Sequence, residues 1–328
     1  MEATTPIDDP HTENPYVVKL EHDLGPEVMS LFDDPNITEI GTDPYQERIW
    51  IDDRAVGGKV LLEIYRPKSY VRSFLNRVAH QKGQTLTHEN PHLEANLPTG
   101  RFKGARLAGE IEPVVPAPSF TIRIPPLRPL ELKSYVEGGS MTESQFGTII
   151  QAIDERLNIF VIGGTNSGKT TLAMAILQEV SRRCPDHRII TIEDTPELQV
   201  LSKFWCPLYT YPGAHYTELL RMALRMSPDR IVIGESRGKS IVELFDALLS
   251  GHPGGVSTFH ASSVEKALRR MMIYARRDSD TEAHHYTIGD AVDLMIVMRK
   301  EGSLRRITEM VRLHSYTDRD GYLKEQVM

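Results

Sequence analysis

The clearest chemical signal in this sequence is the run Gly163, Gly164, Thr165, Asn166, Ser167, Gly168, Lys169, Thr170, which has the spacing G-x-x-x-x-G-K-[ST]. It follows the apolar stretch NIFVIG (158–163). It opens a segment with helical periodicity, TLAMAILQEVSRR (171–183), whose Leu172, Ile176 and Val180 share a face. In a strand–loop–helix turn of this kind, glycines let backbone N–H groups turn inward around phosphate oxygens, and the helix N-terminus adds a partial positive charge. The expected ligand is a nucleoside triphosphate with Mg²⁺, held by residues 163–170 and the following Thr171. Lys169 would reach the β- and γ-phosphates, and the Thr170 hydroxyl would ligate the metal.

Phosphoryl transfer also needs acids. RIVIGESRG (230–238) sets Glu235 just past an apolar run, where a carboxylate can hold the Mg²⁺ water shell or orient an attacking water. TIEDTPE (191–197) sets Glu193, Asp194 and Glu197 past another. Ligands of parallel sheets bind at the carboxyl ends of strands, and both acidic runs fall at such ends. A lone acid there would be read as a cap for a following helix, as Asp194 or Thr195 before Pro196 suggests. Two acids in one phosphate-binding domain favour chemistry. GHPGGVSTFHASS (251–263) adds His252 before a strand and His260 at its end, the second within reach of a γ-phosphate.

Two other patterns carry less. HENPH (88–92) has the H-E-x-x-H spacing of a zinc protease, but Pro91 breaks the helix that would put both histidines on one metal. LRRMMIYARR (268–277), with Arg269, Arg270, Arg276 and Arg277, reads as a solvated helix face or a subunit contact, its Met271 and Met272 as core.

The elements that must position these groups form two domains in 328 residues. Short apolar runs at 158–163, 188–193, 230–234, 255–259 and 292–298 alternate with helical patterns. This predicts an α/β domain around a mainly parallel sheet. Before it, ITEI (37–40), RIWI (48–51) and KVLLEIY (59–65) read as strands and YVRSFLNRVAHQKG (70–83) as a helix, giving a smaller α+β domain. The expected boundaries are a tail at 1–15, an N-terminal domain at 16–124, a Pro-rich linker at 125–139 and the nucleotide domain at 140–328. The acidic, Pro-rich start lacks the pattern of a secretory signal, and no apolar run is long enough for a transmembrane helix. Two cysteines cannot form a disulfide framework, so a reduced, cytoplasmic setting is expected. A balance of 38 Lys+Arg against 45 Asp+Glu, formal charge −7, disfavours a nucleic-acid coat and sequence-specific DNA binding.

With these motifs in place, the chain resembles the secretion-system traffic ATPases, the P-loop motors of type II and type IV secretion. GGTNSGKT is similar to their Walker A, TIEDTPEL to their acidic box, RIVIGESRG to their Walker B and GHPGGVSTFHAS to their histidine box. LPTGRFKGARLAG and FTIRIP are similar to the first domain of their core. The absence of a four-cysteine zinc insert favours the type IV branch, nearest the Trb-type conjugal-transfer ATPases. One departure is Ser236, where relatives often carry an apolar residue. The resemblance implies a RecA-like domain in a hexameric ring, acting with inner-membrane secretion components from the cytoplasmic face. Arg106 and Arg123 match arginines that approach the phosphates. Arg225, expected four residues after Arg221 on a helix at 218–226, matches a position near the nucleotide or the next subunit, and Arg237 is a further candidate. Glu193 becomes the base or water-positioning residue, Glu235 the Mg²⁺-associated acid and His260 the γ-phosphate sensor. The alternatives are a type II or pilus motor, a RecA-like nucleic-acid motor, and a scaffold that binds ATP without hydrolysing it.

Overall fold

Continuous apolar strands need a cover on both faces, and the second half of the chain supplies one. The computed structural model describes residues 14–98, 100–125, 130–194, 196–211, 213–236, 238, 240–277, 281, 283–302 and 304–327. The chain divides into two compact units, residues 1–127 and 128–328.

In the first unit, α1 (Pro15–Leu31) precedes β1 (Ile37–Thr42), β2 (Arg48–Asp53) and β3 (Gly58–Tyr65); α2 (Lys68–Gln81), β4 (His92–Asn96), β5 (Arg106–Glu110) and β6 (Ser119–Arg123) follow. The strands form one antiparallel sheet in the order β3-β2-β1-β6-β5-β4. Val71, Leu75, Val78 and Ala79, the expected apolar face of α2, are buried with Phe74. α1 was not legible. It runs through Gly25-Pro26 with a kink, Gly25 taking φ 78°. His88 lies in a bend and His92 begins β4, so the two histidines of HENPH share no helix.

The second unit runs α3 (Ser134–Glu137), α4 (Glu143–Asp154), β7 (Ile159–Gly163), α5 (Lys169–Arg183), β8 (Ile189–Glu193), β9 (Trp205–Tyr209) and α6 (Tyr216–Ala223). It continues with β10 (Arg230–Ile233), α7 (Ser240–Leu249), β11 (Val256–Phe259), α8 (Val264–Arg276), α9 (Ala283–Ala291), β12 (Leu294–Glu301), β13 (Leu304–Thr317) and β14 (Gly321–Gln326). Its sheet has the order β14-β13-β12-β7-β11-β10-β8-β9. From β12 to β9 all neighbours are parallel, and β13 and β14 add antiparallel strands at one edge. Side chains alternate across the pleat. Phe160 and Ile162 of β7 join a core with residues of α6, α7, α8 and α9, while Ile159 and Val161 join one with α4 and α5. Burial on both faces is why these strands read as unbroken apolar runs.

Two expectations need correction. Residues 130–139, expected in the linker, carry α3 and bury Leu132 and Tyr135 in the second unit's core. No proline follows Pro129 there, so nothing prevents an amphipathic turn from docking; residues 126–129 lie outside the described residues. Arg225 is not on a helix with Arg221. α6 ends at Ala223, and Arg225 sits in a turn before Ser227, which has φ 52°. Pro228 disfavours helical backbone at the residue before it. Among the described residues, no helix is long and apolar enough to cross a membrane.

At the base of the sheet, Asn158 ties three segments together. Its Oδ1 accepts from the Gly254 and Gly255 N–H groups at 2.8 and 3.1 Å, and its Nδ2 donates to the Ala291 carbonyl at 3.0 Å. Asn158→Ala should therefore cost about 2–4 kcal/mol, since it strands buried polar groups, and urea unfolding followed by circular dichroism reads the loss.

Candidate nucleotide site

The site begins where β7, buried over all its length, must turn into α5. Gly163 is obligatory: a Cβ there would lie 2.3 Å from Ser167 Oγ and 2.6 Å from the Met298 carbonyl. Asn166 and Gly168 take left-handed backbone, at φ 58° and 90°. Gly168 is the N-cap of α5 and makes no side-chain cap, and the first helical bond runs from the Leu172 N–H to the Gly168 carbonyl. The amides of the first turn are thus offered to a ligand, at the positive end of the helix. Ser167 Oγ is buried with no hydrogen-bond partner.

Lys169 follows, only 7% exposed. Its Nζ donates to the Gly164 carbonyl at 2.9 Å and stands 3.5 Å from His260 Nδ1. His260 Nε2 is 2.9 Å from Glu235 Oε1. An ammonium next to Nδ1 and a carboxylate next to Nε2 together select the tautomer with its proton on Nε2, donating to Glu235. The structure thereby joins three of the expected residues, Lys169, His260 and Glu235, from the β7–α5 turn and the ends of β11 and β10.

Glu193 ends β8 on the neighbouring strand, and its side chain passes over Gly234. A Cβ at Gly234 would lie 2.8 Å from Glu193 Cγ, so only glycine lets the two acidic strand ends approach. Its Oε1 accepts from the Glu197 and Leu198 N–H groups, both at 3.0 Å, while Oε2 has no hydrogen-bond partner. No helix follows Pro196, so the capping alternative for this acidic run falls away, and Glu193 itself satisfies the loop. Burial pushes its carboxyl up to about 7, against the two N–H bonds that favour the ionised form.

A cavity of about 230 Å³ opens beside Glu235 and His260, lined also by Ser236, Phe259, Arg270 and Tyr274. Arg269, Arg270, Arg276 and Arg277 are all exposed, as a solvated face requires, and Arg270 has a further role there. It donates to the His260 carbonyl and, at 2.8 Å, to the Tyr274 hydroxyl, holding the strand end that carries His260. Met271 and Met272 are core, as expected. Ser236 is buried as well. Its hydroxyl meets that of Ser257, whose Oγ donates to the Ile233 carbonyl at 2.9 Å, and Thr258 Oγ1 donates to the Gly234 carbonyl at 2.6 Å. These hydroxyls strap β10 to β11 and fix the backbone of Glu235, which explains a polar residue where an apolar one was expected. The sequence marked Arg270 only as one charge of a run, and no local signal marked Gly234, because it acts on a residue distant in the chain.

In the first unit, Arg106 and Arg123 are direct cross-strand partners, in a row Asn96–Arg106–Arg123–Glu39. Arg225 is exposed in its turn, and Arg237 lies outside the described residues.

A phosphate loop, a buried lysine and two acids at the ends of parallel strands define a P-loop nucleotide-binding protein. The family model described as "Type II/IV secretion system protein" matches residues 59–300. A probable conjugal transfer protein TrbB of Sinorhizobium fredii is 35% identical over 302 residues, 92% of this chain and 91% of that one. The conjugal transfer protein TrbB of Rhizobium radiobacter is 36% identical over 300 residues, with the same shares. Among solved structures, the Legionella pneumophila ATPase DotB shares the fold, with a TM-score of 0.63 and 20% identity across 92% of this chain and 81% of that one. The chain belongs to the type II/IV secretion system protein family, a family of secretion ATPases.

Glu193 also generates a stability test. Its native value near 7 lies above the ordinary carboxylate value of 4.5. Its contribution is fully present below about pH 4.5 and is lost as pH rises through 7, because the unfolded chain gives up the proton first. Glu193→Gln removes this dependence. Urea unfolding from pH 4.5 to 8 should show the variant gaining on the parent protein by on the order of 3 kcal/mol across that window.

Proposed function

We propose that this chain is the Mg²⁺-dependent ATPase motor of a conjugation-type (type IV) secretion system, a homo-oligomeric, hexameric ring on the cytoplasmic face of the membrane, driving pilus assembly or substrate transfer. The observation that carries the reading is the continuous link Glu235–His260–Lys169 at the mouth of the phosphate loop, with buried Glu193 beside it. The extent of likeness to conjugal transfer proteins, over nine-tenths of both chains, supports the conjugation branch over a type II or pilus motor.

In this reading residues 163–171 hold the phosphates. A γ-phosphate is a stronger acceptor for Lys169 than the Gly164 carbonyl, so ATP draws the ammonium onto itself and changes the partner seen by His260. That is a direct route from phosphate to Glu235, and it gives His260 the sensing role. The oxygens of Thr170 and Glu235 suit a hard cation that takes one or two protein ligands and completes its shell with phosphates and water. Mg²⁺ held there would neutralise phosphate charge. Glu193 is the base: its value near 7 matches proton abstraction at neutral pH, and Oε2 is the oxygen left to take the proton from water. Arg106 and Arg123, neighbours on adjacent strands, are assigned on the family pattern as cations for the transferring phosphoryl group. Arg225 and Arg237 are assigned to nucleotide or subunit contact on the family pattern alone.

Lys169→Ala should lower steady-state phosphate release by roughly a hundredfold or more, the scale of losing a charge-stabilising donor. Turnover surviving that change would refute the assignment. For the unaltered protein, kcat/KM should rise with pH through about 7 as Glu193 ionises, and Glu193→Gln should lose turnover while still binding ATP. In cells, removing the chain should abolish DNA transfer and leave twitching and enzyme export intact. ATPase activity raised by single-stranded DNA would favour the nucleic-acid motor instead.

A further inference from the structure

The phosphate loop is gripped from a side that none of the nucleotide motifs reaches. Arg305 stands near the start of β13, 139 residues beyond Asn166. Its Nε donates to the Asn166 carbonyl at 3.1 Å, and its Nη2 donates to Asn166 Oδ1 at 2.9 Å. One planar guanidinium therefore holds the main chain and the side chain of the same residue, a geometry that only a fork of fixed donors achieves. Asn166 is also the residue under backbone strain, at φ 58° in the left-handed region. The stem of Arg305 continues along the loop, its Cδ 3.0 Å from where a Cβ on Gly168 would sit.

The anchor of this grip is firm. β13 is laddered to β12, where Arg305 pairs with Lys300, and β12 is laddered to β7, where Met298 pairs with Gly163. The hairpin thus returns to the first residue of the loop that Arg305 clasps. It also gathers like charges, Lys300 opposite Arg305 and Arg299 opposite Arg306.

We infer that Arg305 is a positioning residue for ATP binding: by clasping Asn166 it keeps the loop in its left-handed turn, with the amides directed inward before phosphate arrives. It works through Asn166 and touches no reacting atom. The inference rests on residues 163–171 being the ATP site.

The test is a mutant cycle on the full-length chain. ATP-analogue affinity is read by calorimetry, and KM and kcat by phosphate release. Arg305→Ala should weaken binding and raise KM about tenfold, the loss of a charge-assisted hydrogen-bond pair, with kcat held within about threefold. Arg305→Lys keeps the charge without the fork and should behave like the alanine variant. Asn166→Gly takes the left-handed turn without strain and lacks the Oδ1 acceptor. In that background Arg305→Ala should cost about threefold or less. An unchanged KM in Arg305→Ala, equal losses in both backgrounds, or full recovery by lysine would each overturn the role. Failure of the unaltered chain to bind ATP would instead remove the site beneath it. Binding that is normal and abolished by Lys169→Ala, together with an indifferent Arg305→Ala, would sink the inference alone.

Discussion

A lysine ammonium buried at the mouth of a sheet is the constraint to which the rest of the second unit answers. Lys169 cannot reach water freely, and an unmatched buried charge costs several kcal/mol. Its position is imposed by the fully buried β7 and the largely buried α5, joined by a loop that starts at a glycine no other residue can replace. The acceptors therefore have to come to it. The Gly164 carbonyl does so by the curl of the loop, and His260 does so because β11 lies beside β7 in the sheet. Sheet order, more than any single loop, brings charge-sensitive groups to the phosphate end.

Two glutamates at neighbouring strand ends are chemically alike in the sequence and unlike in the fold. Glu235 lines a cavity, its side chain partly exposed, and stands 2.9 Å from His260 Nε2. Glu193 is enclosed, with one oxygen committed to two backbone amides and the other unsatisfied, and burial holds its proton toward neutral pH. In the proposed reaction, this difference of environment is what gives one acid to a cation and the other to proton transfer. Gly234 makes the pair possible, since any side chain there would collide with Glu193.

Around this centre, loops are held by arginines and hydroxyls drawn from far along the chain. Arg270 steadies the strand end of His260, Arg305 the left-handed turn of Asn166, and the Ser236–Ser257–Thr258 strap the backbone of Glu235. Preorganisation of this sort limits the rearrangement needed when a charged ligand arrives.

The phosphate loop, the strand–helix alternation of the second unit, and the placing of Glu193, Glu235 and His260 at strand ends were all legible in the amino-acid order. Those features are local, since periodicity, glycine spacing and polar residues after apolar runs depend on near neighbours. Two local readings failed where a neighbour outside the pattern intervened. Residues 130–139 read as linker by composition, yet Leu132 and Tyr135 dock into a core. The apolar pattern carries α6 through Arg225, yet the helix stops at Ala223, ahead of the left-handed Ser227 and Pro228. Folding alone decided that Lys169, His260 and Glu235 form one link, that Glu193 is sealed from water, and that Arg305 returns to Asn166. Each of these depends on which strands lie side by side, and that order is set by burying apolar faces of elements far apart in the chain.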